Sequence, residues 1–398
     1  MISSRACRRV RIIRLSVAVL LPVCVAWPGL AAERGGEQIT PLLLAVHDAP
    51  IPFNGSDGRT HLVYELWMTN FSSGDATVEQ VDVLADASVL ATLDAAAIAA
   101  RLQPAGRRDA RDTLPSGGTS LLFLHLTMAE GTPVPARLSH RVRARIDAAP
   151  PGQQQMTLGG GDVTVDRRAV VVIGPPLHGA RFIAADSCCD ATRHTRAALP
   201  VDGRVRIAQR YAVDWEQLDD AGRIYVGPRA QLTSYAIYGR AALAVADAPV
   251  VAARDDLPEQ VPGKFPEAIP LAEADGNAVV LDLGGGRFAL YAHMQPGSLR
   301  VRVGDRVKRG QTIGLVGNSG NSVAPHLHFH VMDGPSPLDS NGLPYEIDAF
   351  DVAGHSPGTA AFDHAEESGA PLAIGPVTPP RRVTRALALD QTLVEFRP

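Results

Sequence analysis

An all-β fold is what the sequence predicts, on three observations. Short runs that alternate apolar and polar residues recur from about Ile39 to Ile173, and clusters of turn-forming residues separate them. A second set of β-like runs, at 278–283, 288–293, 312–316 and 326–331, fills the second half. The expected architecture is an N-terminal antiparallel β-sandwich followed by a small antiparallel β-domain. The composition permits packed cores: 45% of the 398 residues are hydrophobic and 20% charged, which excludes collagen-like, coiled-coil and disordered chains. A net charge of −4 gives no reason to expect a nucleic-acid partner.

The N-terminus reads as an export signal over residues 1–32. Arg5, Arg8, Arg9, Arg11 and Arg14 precede an apolar run from Leu15 to Ala26, then Pro28 and the small residues Gly29 to Ala32. That run is too short for a membrane span, which needs roughly 20 apolar residues. No later segment is apolar enough to cross a bilayer, so a secreted or periplasmic chain without a transmembrane segment is expected. Cleavage would remove Cys7 and Cys24 and leave the adjacent Cys188 and Cys189. These read as structural or as a vicinal disulfide, since a zinc-thiolate site needs more ligands.

The sandwich is expected over 33–165. The run from His61 to Asn70 puts Leu62, Tyr64, Leu66 and Met68 on one face, and 138–146 does the same with Val142, Ala144 and Ile146. Residues 120–128 form another strand candidate, and the turns at 54–58 and 115–118 carry Gly, Asn, Asp and Pro. The Ala-rich 94–102 segment reads as a short helix begun by Asp94. His47, His61, His125 and His140 are scattered and read as surface or core imidazoles. A Gly/Pro/Gln-rich stretch at 150–161 and the Gly174-Pro175-Pro176 turn put the boundary near residue 170. The second domain is expected over 170–350, with 254–270 as an exposed loop. Residues 351–398 read as a C-terminal extension with one late strand candidate at 385–396.

The chemistry concentrates in Pro325-His326-Leu327-His328-Phe329-His330-Val331. On a strand the three imidazoles project from one face about 6.6 Å apart, while Leu327, Phe329 and Val331 face a core. Neutral imidazoles grip divalent cations, but one strand cannot complete a site, so partners must come from elsewhere. Candidates are His293 and Asp214. Asp214 is enclosed by apolar neighbours in Tyr211-Ala212-Val213-Asp214-Trp215, and a buried carboxylate needs either a cation or an arginine such as Arg210. The Gly304-Asp305 to Gly310-Gln311 run is similar to biotin- and lipoyl-carrier turns, but neither Lys264 nor Lys308 has the carrier setting. The Gly317–Ser322 loop lacks the Gly-Lys-Ser/Thr ending of a phosphate loop.

Taken together, these residues resemble the LytM/lysostaphin-type zinc metallopeptidases, which cleave peptide bonds in bacterial cell walls. The resemblance runs through Gly276–Val280, Tyr291–Met294, Val303–Val307, Gly310–Gly314, Gly317–Ser322 and Pro325–Phe329, and covers roughly 195 to 335. It implies that the second domain is LytM-like and holds one Zn2+. Asp214 and His328 would be metal ligands and His293 and His326 the catalytic histidines. Water activated by the zinc would attack the carbonyl of a peptidoglycan peptide. The sequence departs from the family at one ligand: Arg210 stands where a histidine is expected, and arginine does not coordinate. Three outcomes follow. His194 or His330 substitutes; the metal is held weakly by two ligands; or Arg210 pairs with Asp214 in a degenerate domain that binds cell-wall peptide or regulates another hydrolase.

Overall fold

Period-2 alternation sorts the first half of the chain into two facing sheets. The structure, a computed structural model, describes residues 39–190 and 192–397, so the expected signal segment lies outside the described residues. One sheet runs Leu42–Ala45, Thr60–Asn70, Thr119–Met128, Leu102–Pro104; the other runs Gln155–Thr164, Arg137–Ile146, Ala76–Ala85, Ser88–Leu93. Leu62, Tyr64, Leu66 and Met68 pack between them against Val142, Ala144 and Ile146. The short helix is Ala95–Ala99, and the Asp94 carboxylate caps it by accepting from the Ala97 amide at 2.8 Å. His140 is a core imidazole bonded to the Tyr64 hydroxyl at 2.9 Å, whereas His61 and His125 meet at 2.8 Å.

The other face of Thr60–Asn70 does not face water. Val63 joins the hydrophobic core of the second half, and Glu65 is as buried as the residues around it. That second half is organised by a 12-stranded sheet. Its middle runs Tyr345–His355, Thr392–Phe396, Gly179–Ala185, Val213–Gln217, Leu327–Met332, Phe288–Met294 and Asn277–Asp282. Residues beyond 351, expected to trail as an extension, give the end of one strand, a helix (Thr359–Ser368) and the strands Gly375–Ala386 and Thr392–Phe396. Phe396 packs edge-on to Trp215 at 5.1 Å, inside the main core. Among the described residues, no helix is long and apolar enough to cross a membrane. Cys188 and Cys189 are joined to each other by a disulfide.

Arg210 has a different partner from the one weighed in the sequence. Arg210 is 4% exposed, and its guanidinium turns toward the sandwich. Nε donates to Glu65 Oε1 at 3.0 Å and Nη2 to Glu65 Oε2 at 2.9 Å, with a further bond from Nη2 to Asp48 Oδ2 at 3.0 Å. Burial opposes the charge on Arg210, and the adjacent Glu65 carboxylate outweighs it and keeps the guanidinium protonated. The pair is a two-pronged tie between the halves. Removing one member strands the other's charge out of water, which costs more than the intact pair contributes. Glu65→Ala is expected to lower the unfolding free energy by about 3 kcal/mol in urea titrations, with Asp48 too exposed to compensate. A loss below about 1 kcal/mol, the level of a surface pair, would show that the tie is not structural.

Candidate metal centre

Strand register brings the candidate residues together. Asp214 on Val213–Gln217 lies directly opposite His328 on Leu327–Met332, and His328 lies opposite Ala292 on the next strand. Val213, Trp215, Leu327 and Phe329 point into the main core, so Asp214 and His328 project from the other face. His293 follows Ala292 at the strand's end with φ 60°, a left-handed conformation unusual for a residue with a side chain. Its amide bonds Asp275 O at 2.9 Å and its carbonyl accepts from Gly317 at 3.1 Å, which fixes that turn. Such held strain clusters at functional sites. The neighbouring loop sits tightly: a Cβ at Gly320 would come within 2.3 Å of the Gly276 nitrogen, so only glycine fits.

The carboxylate of Asp214 is the centre of the cluster. His328 Nδ1 lies 2.8 Å from Oδ1, His326 Nε2 3.4 Å from Oδ1, and His194 Nε2 3.4 Å from Oδ2. Three of the imidazoles are oriented alike. Nδ1 donates to a backbone carbonyl in each: His194 to Asp186 at 2.9 Å, His293 to Ser319 at 2.8 Å, His326 to Ala324 at 2.8 Å. A carbonyl only accepts, so Nδ1 carries the proton and Nε2 is the nitrogen presented to the site. His328 is turned the other way. Its Nδ1 faces Asp214 and its Nε2 meets His330 Nδ1 at 3.0 Å.

The structure therefore separates the two proposed substitutes. His330, fully buried, stands behind His328, and its Nε2 has no hydrogen-bond partner among the described residues. His194, Asp214 and His328 offer ligand atoms all within 4.8 Å of one another, and so do His293, His326 and His328. Arg210 donates to Glu65 and Asp48 and is not among the partners of Asp214. Two imidazole nitrogens and one carboxylate oxygen match the donor set of a catalytic zinc, with a fourth position left open. Each imidazole also has its second nitrogen bonded to a fixed partner, as metal-binding histidines require. The residues present fit zinc.

The electrostatics agree with a cation-seeking pocket. Burial pushes the Asp214 carboxyl up, but the imidazoles of His194 and His326 and the hydrogen bonds from His326 and His328 outweigh it, holding Asp214 well below the usual carboxylate range. Burial lowers His293 and His328, and in His293 the neighbouring imidazoles add to it. In His326 burial also lowers the value, yet Asp214 overcomes it and raises the imidazole to about 9.

Of the residues singled out in the sequence, Asp214, His293, His326 and His328 are thus gathered into one site. His194, weighed there only as a substitute, is gathered with them. The signal for it was weak, because it lies on irregular backbone between strands rather than in a patterned run.

Comparison with known proteins agrees with the motif reading. Residues 235–340 match the model for Peptidase family M23; His194 and Asp214 precede that segment. The chain is 37% identical over 65 residues to the peptidoglycan DD-endopeptidase ShyA of Vibrio cholerae, covering 16% of this chain and 15% of that one. It is 42% identical over 71 residues to the glycyl-glycine endopeptidase ALE-1 of Staphylococcus capitis, covering 18% of this chain and 19% of that one. The matches therefore span less than a fifth of these relatives' lengths. Among solved structures, the catalytic domain of lysostaphin from Staphylococcus simulans aligns with 22% identity and a TM-score of 0.23, covering 41% of this chain and 88% of that one.

The His326–Asp214 pairing has a measurable consequence. A histidine raised on folding stabilises the protein fully below its unfolded value near 6.5 and loses that contribution as pH rises through about 9. Asp214→Asn removes the largest raising influence and leaves burial opposed only by the Ala324 carbonyl and by Glu366. In metal-stripped protein, NMR titration is expected to show His326 falling well below about 9. An unchanged titration would mean that Asp214 does not govern this imidazole.

Proposed function

We propose that this chain is an exported, zinc-dependent endopeptidase that hydrolyses peptide bonds of bacterial peptidoglycan. The observation that carries the reading is the convergence of His194, Asp214 and His328, from three separate segments, on one buried carboxylate-imidazole cluster flanked by His293 and His326. His194 Nε2, one Asp214 oxygen and His328 Nδ1 would hold the ion. Bound there, zinc supplies Lewis-acid chemistry, polarising the scissile carbonyl and acidifying water.

The chain's own residues supply the proton handling. His293 and His326 each keep Nδ1 tied to a carbonyl, so the rings cannot swing and Nε2 is the working nitrogen. His293, depressed by burial, is the neutral imidazole suited to take a proton from the attacking water. His326 presents its Nε2 to the same site, and in its protonated form it would donate to the oxygen that gains charge as the carbonyl is attacked. The similarity to the peptidoglycan DD-endopeptidase ShyA supports peptidoglycan as the substrate. Export rests on the basic and apolar pattern of residues 1–32.

A non-catalytic, peptide-binding reading was motivated by Arg210 at a ligand position. Its motive weakens, because Arg210 is committed to Glu65 and leaves Asp214 to the imidazoles. Elemental analysis of purified mature protein is expected to find one zinc per chain. His328→Ala and His194→Ala should each abolish stoichiometric zinc and lower peptidoglycan hydrolysis by at least about a hundredfold. Protein without metal that leaves muropeptide profiles unchanged would sink the proposal.

A further inference from the structure

His194 is the one site imidazole that no strand of the large sheet positions. The other three lie on, or next to the ends of, Phe288–Met294 and Leu327–Met332, whereas His194 sits in irregular backbone between Gly179–Ala185 and Leu199–Val201. What fixes this segment comes from both the sandwich and its own domain. On one side Asp190 forms a two-pronged pair with Arg101 of the sandwich, whose Nη1 donates to Oδ1 and whose Nη2 donates to Oδ2 at 3.2 Å. Arg196 Nη1 donates to the Ala100 carbonyl at 2.6 Å, and its guanidinium lies 5.7 Å from the centre of the Phe123 ring. Ala198 and Ile207 then pack on Leu121, Phe123 and Trp67, along the outward face of the sandwich sheet. On the other side Arg193 reaches Asp186 and Asp363 at 2.8 Å each.

We propose that the N-terminal sandwich is a positioning device for the metal centre: by gripping Asp190 and Arg196 on either side of His194, it pre-orders the segment that presents His194 Nε2 to Asp214. The inference rests on the reading of His194 as a ligand and adds a role for the sandwich, which takes no part in the chemistry. The physical reason is entropic. A ligand on a loose loop must be ordered when the ion binds, and that ordering subtracts from affinity; a loop already clamped at both flanks is spared it. The grip consists of charge-assisted bonds across the two halves, so it can be weakened without opening either core.

Zinc affinity of the full chain, measured by competition with a chromophoric chelator, tests this directly. Arg101→Asp and Asp190→Arg are each expected to weaken zinc binding about tenfold, at the lower end of what outlying partners of metal ligands contribute. The double exchange should restore wild-type affinity by re-forming the pair in reverse. The thermal midpoint of the metal-stripped protein should be unchanged throughout, which separates positioning from general stability. Arg101→Gln gives the same ordering with a smaller effect should charge reversal disturb folding. Arg141→Ala, which breaks a pair with Asp82 within the sandwich, serves as a control and should leave zinc binding unaltered. Single variants that bind zinc like wild type, or a double exchange that restores nothing, overturn the inference. Failure of the wild-type chain to bind zinc overturns the functional reading beneath it.

Discussion

A carboxylate removed from water must be met by hydrogen-bond donors or by positive charge, and Asp214 is met by three imidazoles and, among the described residues, by no arginine. The arrangement of the second domain follows from that demand. Two neighbouring strands set Asp214 against His328, the end of a strand brings in His326, and a long connection delivers His194. Neutral imidazoles alone are poor compensation for a buried negative charge. The cluster therefore favours either an extra proton, as on His326, or a divalent cation. The same geometry that makes the site costly without a counter-charge makes it selective for one.

The guanidinium that seemed to displace a ligand serves a second constraint. Arg210 lies four residues before Asp214, yet it points away from the imidazoles and into the sandwich, where Glu65 receives it. Glu65 and Val63 alternate with Leu62, Tyr64 and Leu66 on a single strand, which is consequently buried on both faces. One face closes the sandwich core and the other becomes a wall for the second half. The two sequence regions are distinct in pattern, but they share a strand's two surfaces and are not independently solvated bodies.

Much of this was legible in the chain. The alternation at 61–70 and 138–146 gave the sandwich faces correctly, because a sheet with one apolar side leaves a period of two. The histidine strand and its separation from the core-facing Leu327, Phe329 and Val331 were equally plain. Asp214 stood out as a charge among apolar residues, and its neighbour on the opposite strand is the histidine the family pattern pairs it with. Less legible was anything set by distant contacts. Arg210 could have met Asp214 or Glu65, and spacing cannot distinguish a partner four residues away from one 145 residues away. His194 lies in a segment without periodicity, so only its position in space reveals it. After residue 351 the late strand candidate at 385–396 appears as Thr392–Phe396, whereas Gly375–Ala386 was obscured by its prolines and charges.

Thr392–Phe396 lies between Tyr345–His355 and Gly179–Ala185, and the latter pairs with the strand bearing Asp214. A sheet threaded in this way cannot be completed in the order in which the chain is synthesised. The sandwich can collapse early from contacts made largely within its own residues, but the slot beside Gly179–Ala185 stays open until more than two hundred further residues have emerged. Such long-range closure is slow, and until then Trp215 lacks the aromatic lid that Phe396 provides. A nascent or truncated chain therefore has its imidazoles before it has a rigid floor beneath them, and an ordered cluster would arrive late, as a property of the finished molecule.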